Sequence, residues 1–188
     1  MTIWQFLTHV LLAEDPRSGK SMSPSRTPMT ILLTNDDGIH AQGLWALYRA
    51  LKSEHHVGLG APERERSAVG HGITLHKPLR AYKVAVNGGD EGWAVTGTPA
   101  DCVKLSMVEL LEQRPDLVVS GINPGANVGV NLNYSCTVAA AKEAALYGVP
   151  ALAVSVQSNE DPHFDDAAGF VARLVPMVRD KGLPSGVF

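Results

Sequence analysis

The stretch LLTNDDGIH, Leu32 to His40, sets Asp36 and Asp37 side by side after an apolar run and before Gly38. Neighbouring side chains of a regular strand point to opposite faces, so both carboxylates reach one point only if the chain turns there. A glycine makes such a turn easy. Two carboxylates held together repel each other, and a hard divalent cation with oxygen ligands, magnesium or manganese, relieves that repulsion. On the other reading, one aspartate caps the following helix and its neighbour faces water. Ser67 in ERSAVGH and Asn123 in SGINPG are neutral oxygen donors that would complete such a shell without adding charge. Each also suits a turn or a helix cap. In YSCTVAAAKE, Tyr134 to Glu143, Ser135 and Thr137 precede an Ala-rich run, where free backbone N–H groups and the helix dipole favour an anion such as phosphate. Thr137 equally suits an ordinary N-cap, and Thr98 in TGTPADC reads as a cap. The histidines, His71 among them, form no pair at metal-ligand spacing and read as surface or packing residues.

These groups need a scaffold that gathers them. MTILLTN reads as a strand buried on both faces, and AQGLWALYRALKSEH, with Leu44, Leu47, Tyr48 and Leu51 at helical spacing, as the helix after it. HVGLGAP reads as a second strand, HGITLHKPLRAYKVAV as an extended excursion and Asn87-Gly88-Gly89 as a turn. GWAVTGTPADCVKLSMVELLEQ contains a strand and then a helix begun by Pro99 and Asp101. Leu117 to Val119 reads as a strand opening into a Gly- and Asn-rich loop, TVAAAKEAALYG as a helix closed by Gly148 and Pro150, and PALAVSVQ as another buried strand. DDAAGFVARLVPMVRDKG reads as a last helix that Pro176 kinks or breaks. Alternating strands and helices predict an α/β fold, doubly wound, with a mainly parallel sheet and helices on both faces. In that architecture ligands bind at the carboxyl ends of strands, where the polar clusters fall.

With 188 residues, 45% hydrophobic and 19% charged, and a net charge of -3, the chain fits one ordinary globular domain and gives no broad surface for a long nucleic acid. Cys102 and Cys136 match no metal-ligand spacing and read as reduced thiols of a cytoplasmic protein. Residues 1–28 combine a short apolar run with the Ser/Pro/Arg-rich DPRSGKSMSPSRTP and read as a flexible N-terminal extension, too short in its apolar part to span a membrane. The domain itself is expected over residues 29–188.

In order, ILLTNDDGIHAQGL, APERERSAVGHGITLHKPL, TGTPADCVKL, DLVVSGINPGANVG and YSCTVAAAKEAALYGVPALAVS closely resemble the SurE family of 5'/3'-nucleotidases, from about Met29 to Pro184. The resemblance implies a SurE-like, Rossmann-like fold and one divalent metal, Mg2+ or Mn2+, held by Asp36, Asp37, Ser67 and Asn123. It implies hydrolysis of nucleoside monophosphates, with Asn127, Ser135 and Thr137 beside the phosphate. A carboxylate, Asp36 or Asp37, is further expected to orient the attacking water as the catalytic group. Family members form homodimers or tetramers. Two departures stand out. Cys136 replaces the usual Gly of SGT, where a side chain would intrude on the phosphate if the backbone had to approach it closely or took a positive φ, and the chain stops at GLPSGVF, where the family continues into a further strand and an oligomerisation region. The expectation is therefore a shortened phosphatase domain. Its alternative is a non-catalytic remnant that binds metal or nucleotide without turnover. A haloacid-type phosphatase would need two aspartates separated by one residue, and a dinucleotide-binding domain G-x-G-x-x-G after the first strand; neither pattern is present there.

Overall fold

The apolar run after Met29 forms strand β1, Thr30–Thr34. Alternation along a strand sends Ile31 and Leu33 to one face and Leu32 to the other, and all three are fully buried. The computed structural model describes residues 27–86, 89–157 and 160–184. The expected extension over residues 1–28 lies almost wholly outside the described residues, as do Asn87 and Gly88 of the expected turn.

Helix α1, Gln42–Leu51, follows β1 and leads to β2, His56–Pro62. An antiparallel pair comes next, β3, Ala81–Val86, and β4, Asp90–Val95, before helix α2, Pro99–Leu105, which continues as a π-helical turn over Ser106–Leu110. Strand β5, Leu117–Pro124, a 3-10 turn over Gly129–Asn133 and helix α3, Cys136–Leu146, then lead to β6, Ala151–Val156, and helix α4, Phe164–Lys181. The six strands lie in the order β3-β4-β2-β1-β5-β6, and every described pairing except β3 with β4 is parallel. Ile31, Leu33, Leu117 and Val119 pack with Leu44 and Leu47 of α1 and Val171 and Val175 of α4. On the other face, Leu32 and Val118 pack with Val103 of α2 and Ala140, Ala141 and Ala144 of α3. The doubly wound arrangement with helices on both faces is thus present, each large side chain so buried being worth about 1.5–3 kcal/mol.

Three expectations change. Strand β5 does not end at Val119 but runs to Pro124, its pairing with β6 resuming at Asn123 after a register shift between Ser120 and Asn123. Strand β6 is not buried on both faces. It forms an edge of the sheet: Leu152, Val154 and Val156 pack against the core on one face, while of the opposite row only Ala151 is buried and Ala153 and Ser155 are exposed. Helix α4 is not broken at Pro176 but continues through it as one element, with Val171, Val175 and Val178 buried, so packing of its apolar stripe outweighs the lost backbone bond.

Candidate metal and phosphate site

From β1 the chain moves to β2 on one side, while β5 pairs with β1 on the other. Such a switch point opens a crevice beyond the carboxyl ends of the central strands. Asp36 and Asp37 follow β1 directly, and Asn123 lies near the end of β5.

Asn35 makes the turn that brings out both carboxylates. Its side chain clasps Gly38 twice, accepting from Gly38 N at 3.1 Å and donating to Gly38 O at 3.0 Å, and Gly38 takes φ 104°. Ile39 N donates to Pro62 O at 2.8 Å and Arg66 N to Asp36 O at 2.8 Å, which ties the turn to the loop after β2. The sequence reading gave Asn35 no role; the Asx-type spacing Asn35-x-x-Gly38 was the available signal.

Asp36 is buried, and its Oδ1 accepts a 2.7 Å hydrogen bond from the Thr137 hydroxyl. Burial raises the Asp36 pKa and Glu65 adds to the rise, while the bond from Thr137 opposes it. Asp37 is pushed up to about 6, by desolvation first and then by the charges of Asp36 and Glu65. Its Oδ2 is buried without a hydrogen-bond partner. The Ser67 hydroxyl donates to Glu65 Oε1 at 2.6 Å, and the Asn123 amide nitrogen donates to Gly125 O at 2.8 Å. Neither of those contacts is to an aspartate, but both leave an oxygen with lone pairs for another partner.

Ser135 is the N-cap of α3, its Oγ accepting from Val138 N at 3.2 Å. Thr137 is not that cap: it lies inside the first helical turn, fully buried, with its hydroxyl proton committed to Asp36. Its hydroxyl therefore orients the carboxylate, and what the first turn offers an anion is the backbone N–H groups of Cys136 and Thr137. Thr98 is a cap as expected, in a reciprocal capping box with Asp101. Asn127 donates to Ser155 Oγ at 2.8 Å and, with Ser135, His71 and Lys142, lines a cleft of about 750 Å3.

Cys136 takes no positive φ; among the described non-glycine residues only Ala68 does. Its thiol is buried, the backbone of Val69, Gly70 and Ala68 lies against the sulfur, and Cys136 is not among the residues lining the cleft. Desolvation first, and then Asp36, raise its pKa. The replacement is absorbed beneath the 68–70 loop.

Thr137→Val tests the buried bond. Removing the Thr137 hydroxyl leaves a buried carboxylate oxygen unpaired, and a loss of about 2 kcal/mol is expected. Urea unfolding with an unchanged m-value and a lowered midpoint would report it.

The sheet order defines a doubly wound α/β protein, and its candidate site lies at strand ends and one helix N-terminus. The chain belongs to the family described as Survival protein SurE, whose sequence model matches residues 31–188. It is 61% identical over 160 residues to the 5'-nucleotidase SurE of Desulfatibacillum aliphaticivorans, an alignment covering 85% of this chain and 63% of that protein. It is 55% identical over 159 residues to the 5'-nucleotidase SurE of Syntrophobacter fumaroxidans, covering 85% and 64%. The crystal structure of the SurE protein from Aquifex aeolicus superposes with a TM-score of 0.74 at 41% identity, covering 83% of this chain and 62% of that one. The chain thus spans just under two thirds of the length of these relatives. Among the described residues no helix is long and apolar enough to cross a membrane.

Proposed function

We propose that this chain is a divalent-metal-dependent phosphohydrolase that removes phosphate from nucleoside 5'- or 3'-monophosphates. One observation carries the reading: the 2.7 Å bond from Thr137 to Asp36 joins the acidic pair to the first turn of α3, so a cation-type site and an anion-type site adjoin. The names of the relatives as 5'-nucleotidases support it.

The residues fit a metal ion. A buried, unpartnered Asp37 oxygen beside a second carboxylate is costly without a cation, and two acidic with two neutral oxygens suit Mg2+ or Mn2+. Asp36, Asp37, Ser67 and Asn123, the set that the family resemblance implies, are the proposed holders; among the described residues no group of three His, Cys, Asp or Glu side chains competes with them. The chemistry a bound ion supplies is polarisation of a phosphoryl oxygen and a lowered pKa for water beside it. Asp36 is fixed by Thr137, which leaves Asp37 to orient the attacking water. The Ser135 hydroxyl, whose oxygen is used in the cap, keeps its proton for a phosphate oxygen, and Asn127 and the first N–H groups of α3 supply further donors.

Phosphate release from 5'-AMP and 3'-AMP by the full chain with Mn2+ or Mg2+ tests this. Expected is multiple turnover that a chelator abolishes; a metal-loaded sample that melts cooperatively yet releases no phosphate rejects it, and with it distinguishes enzyme from binding remnant. The family's homodimer or tetramer belongs to the same proposal and is read by size-exclusion chromatography. So does a cytoplasmic location, supported by two free, buried cysteines.

A further inference from the structure

The residues assigned so far serve the phosphoryl group and the incoming water, and they leave the departing side of the ester unserved. When water attacks phosphorus, the new P–O bond forms as the P–O bond to ribose breaks, and the electron pair leaves with the ribose oxygen. An alkoxide is a poor leaving group, so its departure is eased by a proton delivered as the bond breaks. Asp36 and Asp37 are acceptors when ionised, and the Ser67 hydroxyl and Asn123 amide are not acids near neutral pH. Another group must supply that proton.

The cleft wall carries a histidine of suitable chemistry, backed by a carboxylate outside the cleft lining. His71 lines the cleft together with Asn127, Ser135 and Lys142, and His71 Nε2 lies 2.6 Å from Glu143 Oε2. Glu143 stands on α3, two turns beyond the Ser135 cap, with its side chain only 10% exposed, whereas that of His71 is 26% exposed. A carboxylate set into an Ala-rich helix face needs a partner, and the imidazole supplies one. An ionised carboxylate only accepts, so the proton in this bond sits on Nε2, and Nδ1 is the nitrogen left for the cleft. With its second proton on, the ring offers Nδ1–H there, and Glu143 balances the charge. The loop that carries His71 is anchored before it, where Arg66 N is bonded to Asp36 O and Ala68 to Gly70 lie against the Cys136 sulfur, and after it, where Thr74 N and its hydroxyl donate to Asp101 at 3.0 and 2.7 Å. His71 is thereby held in the cleft wall, with Glu143 against its Nε2.

We propose that His71 is the proton donor to the leaving ribose oxygen and that Glu143 positions it; the inference rests on the phosphohydrolase reading above. In the step, the water proton passes to Asp37, the His71 Nδ1 proton passes to the ribose oxygen, and nucleoside and phosphate leave with all atoms accounted for. Solvent then restores both protonation states.

The full chain, His71→Asn and Glu143→Gln are compared with Mn2+ on 5'-AMP and on p-nitrophenyl phosphate, whose nitrophenolate departs without a proton. Thermal melts check that each variant folds. His71→Asn is expected to lower kcat/KM on 5'-AMP by about a hundredfold or more but on the aryl ester by less than about tenfold. Glu143→Gln, which preserves shape, should show the same substrate-dependent loss at smaller size, and it carries the test if His71→Asn does not fold. Equal losses on both substrates, or no loss on 5'-AMP, overturn the proton-donor role while leaving the phosphohydrolase reading intact. A wild-type chain that turns over neither substrate removes that reading itself.

Discussion

Asp37→Asn should cut metal-dependent phosphate release by about a hundredfold to a thousandfold, the usual effect of deleting one preorganised charged group, and should also make the metal-free protein more stable. The two effects have one cause. In the absence of metal, Asp37 is desolvated and stands beside Asp36 and Glu65, which pushes its pKa from 3.8 up to about 6. A carboxyl whose folded-state pKa is raised binds protons more tightly in the folded chain than in the unfolded one. Between pH 3.8 and about 6 the folded state therefore holds the extra proton, and stability falls as pH rises through that window. Below it the penalty is absent; above it the penalty is fully present. Asp37 is partly exposed, so solvent screening reduces the penalty to about 1 kcal/mol. Thermal melts of both proteins in chelator from pH 4 to pH 8 should converge at the acid end and separate towards neutrality, with the Asn variant higher. Added Mn2+ should raise the wild-type melting temperature and leave the variant nearly unchanged, because only an ion that binds the folded state stabilises it. A variant that keeps metal-stimulated turnover would remove Asp37 from the site.

The aspartate pair was legible because its chemistry is local: two like charges after a buried strand pose a problem that residue type alone reveals. The scaffold was legible for the same reason, since continuous apolar strands and helical spacing survive in MTILLTN and AQGLWALYRALKSEH. What escaped was pairing across the chain. The Thr137 bond to Asp36 spans 101 positions and the His71 contact with Glu143 spans 72, and neither leaves a trace in spacing. Asn35 escaped differently: its role depends on where the turn folds back, which its identity permits without specifying. The second half of β5 was misread because Gly121, Asn123 and Pro124 all favour loops. There, pairing with β6 outweighs local preference, as Asn123 opposite Ser155 and Pro124 opposite Val156 show.

Gly121→Ala should lower stability by about 3 kcal/mol or more, and the melting temperature by about 10 °C, with loss of metal-stimulated activity in whatever protein remains folded. Gly121 takes φ 138°, which side chains rarely adopt, and a Cβ built there would lie 2.4 Å from the carbonyl oxygen of Val154. That oxygen belongs to the backbone of β6, so relief requires the two strands to part rather than a side chain to rotate. The residue sits inside the register shift between Ser120 and Asn123, and a bulge re-aims the side chains that follow it. Strain at Gly121 is thus transmitted to Asn123, two positions on, without touching either aspartate. Gly129→Ala separates this steric effect from a purely conformational one: Gly129 also has a positive φ, 60°, but a Cβ there meets nothing within 4 Å. It should cost only about 1 kcal/mol. If the two substitutions destabilise equally, the close approach to β6 is not what Gly121 provides. If Gly121→Ala keeps full metal-stimulated turnover, the placing of Asn123 does not depend on the bulge.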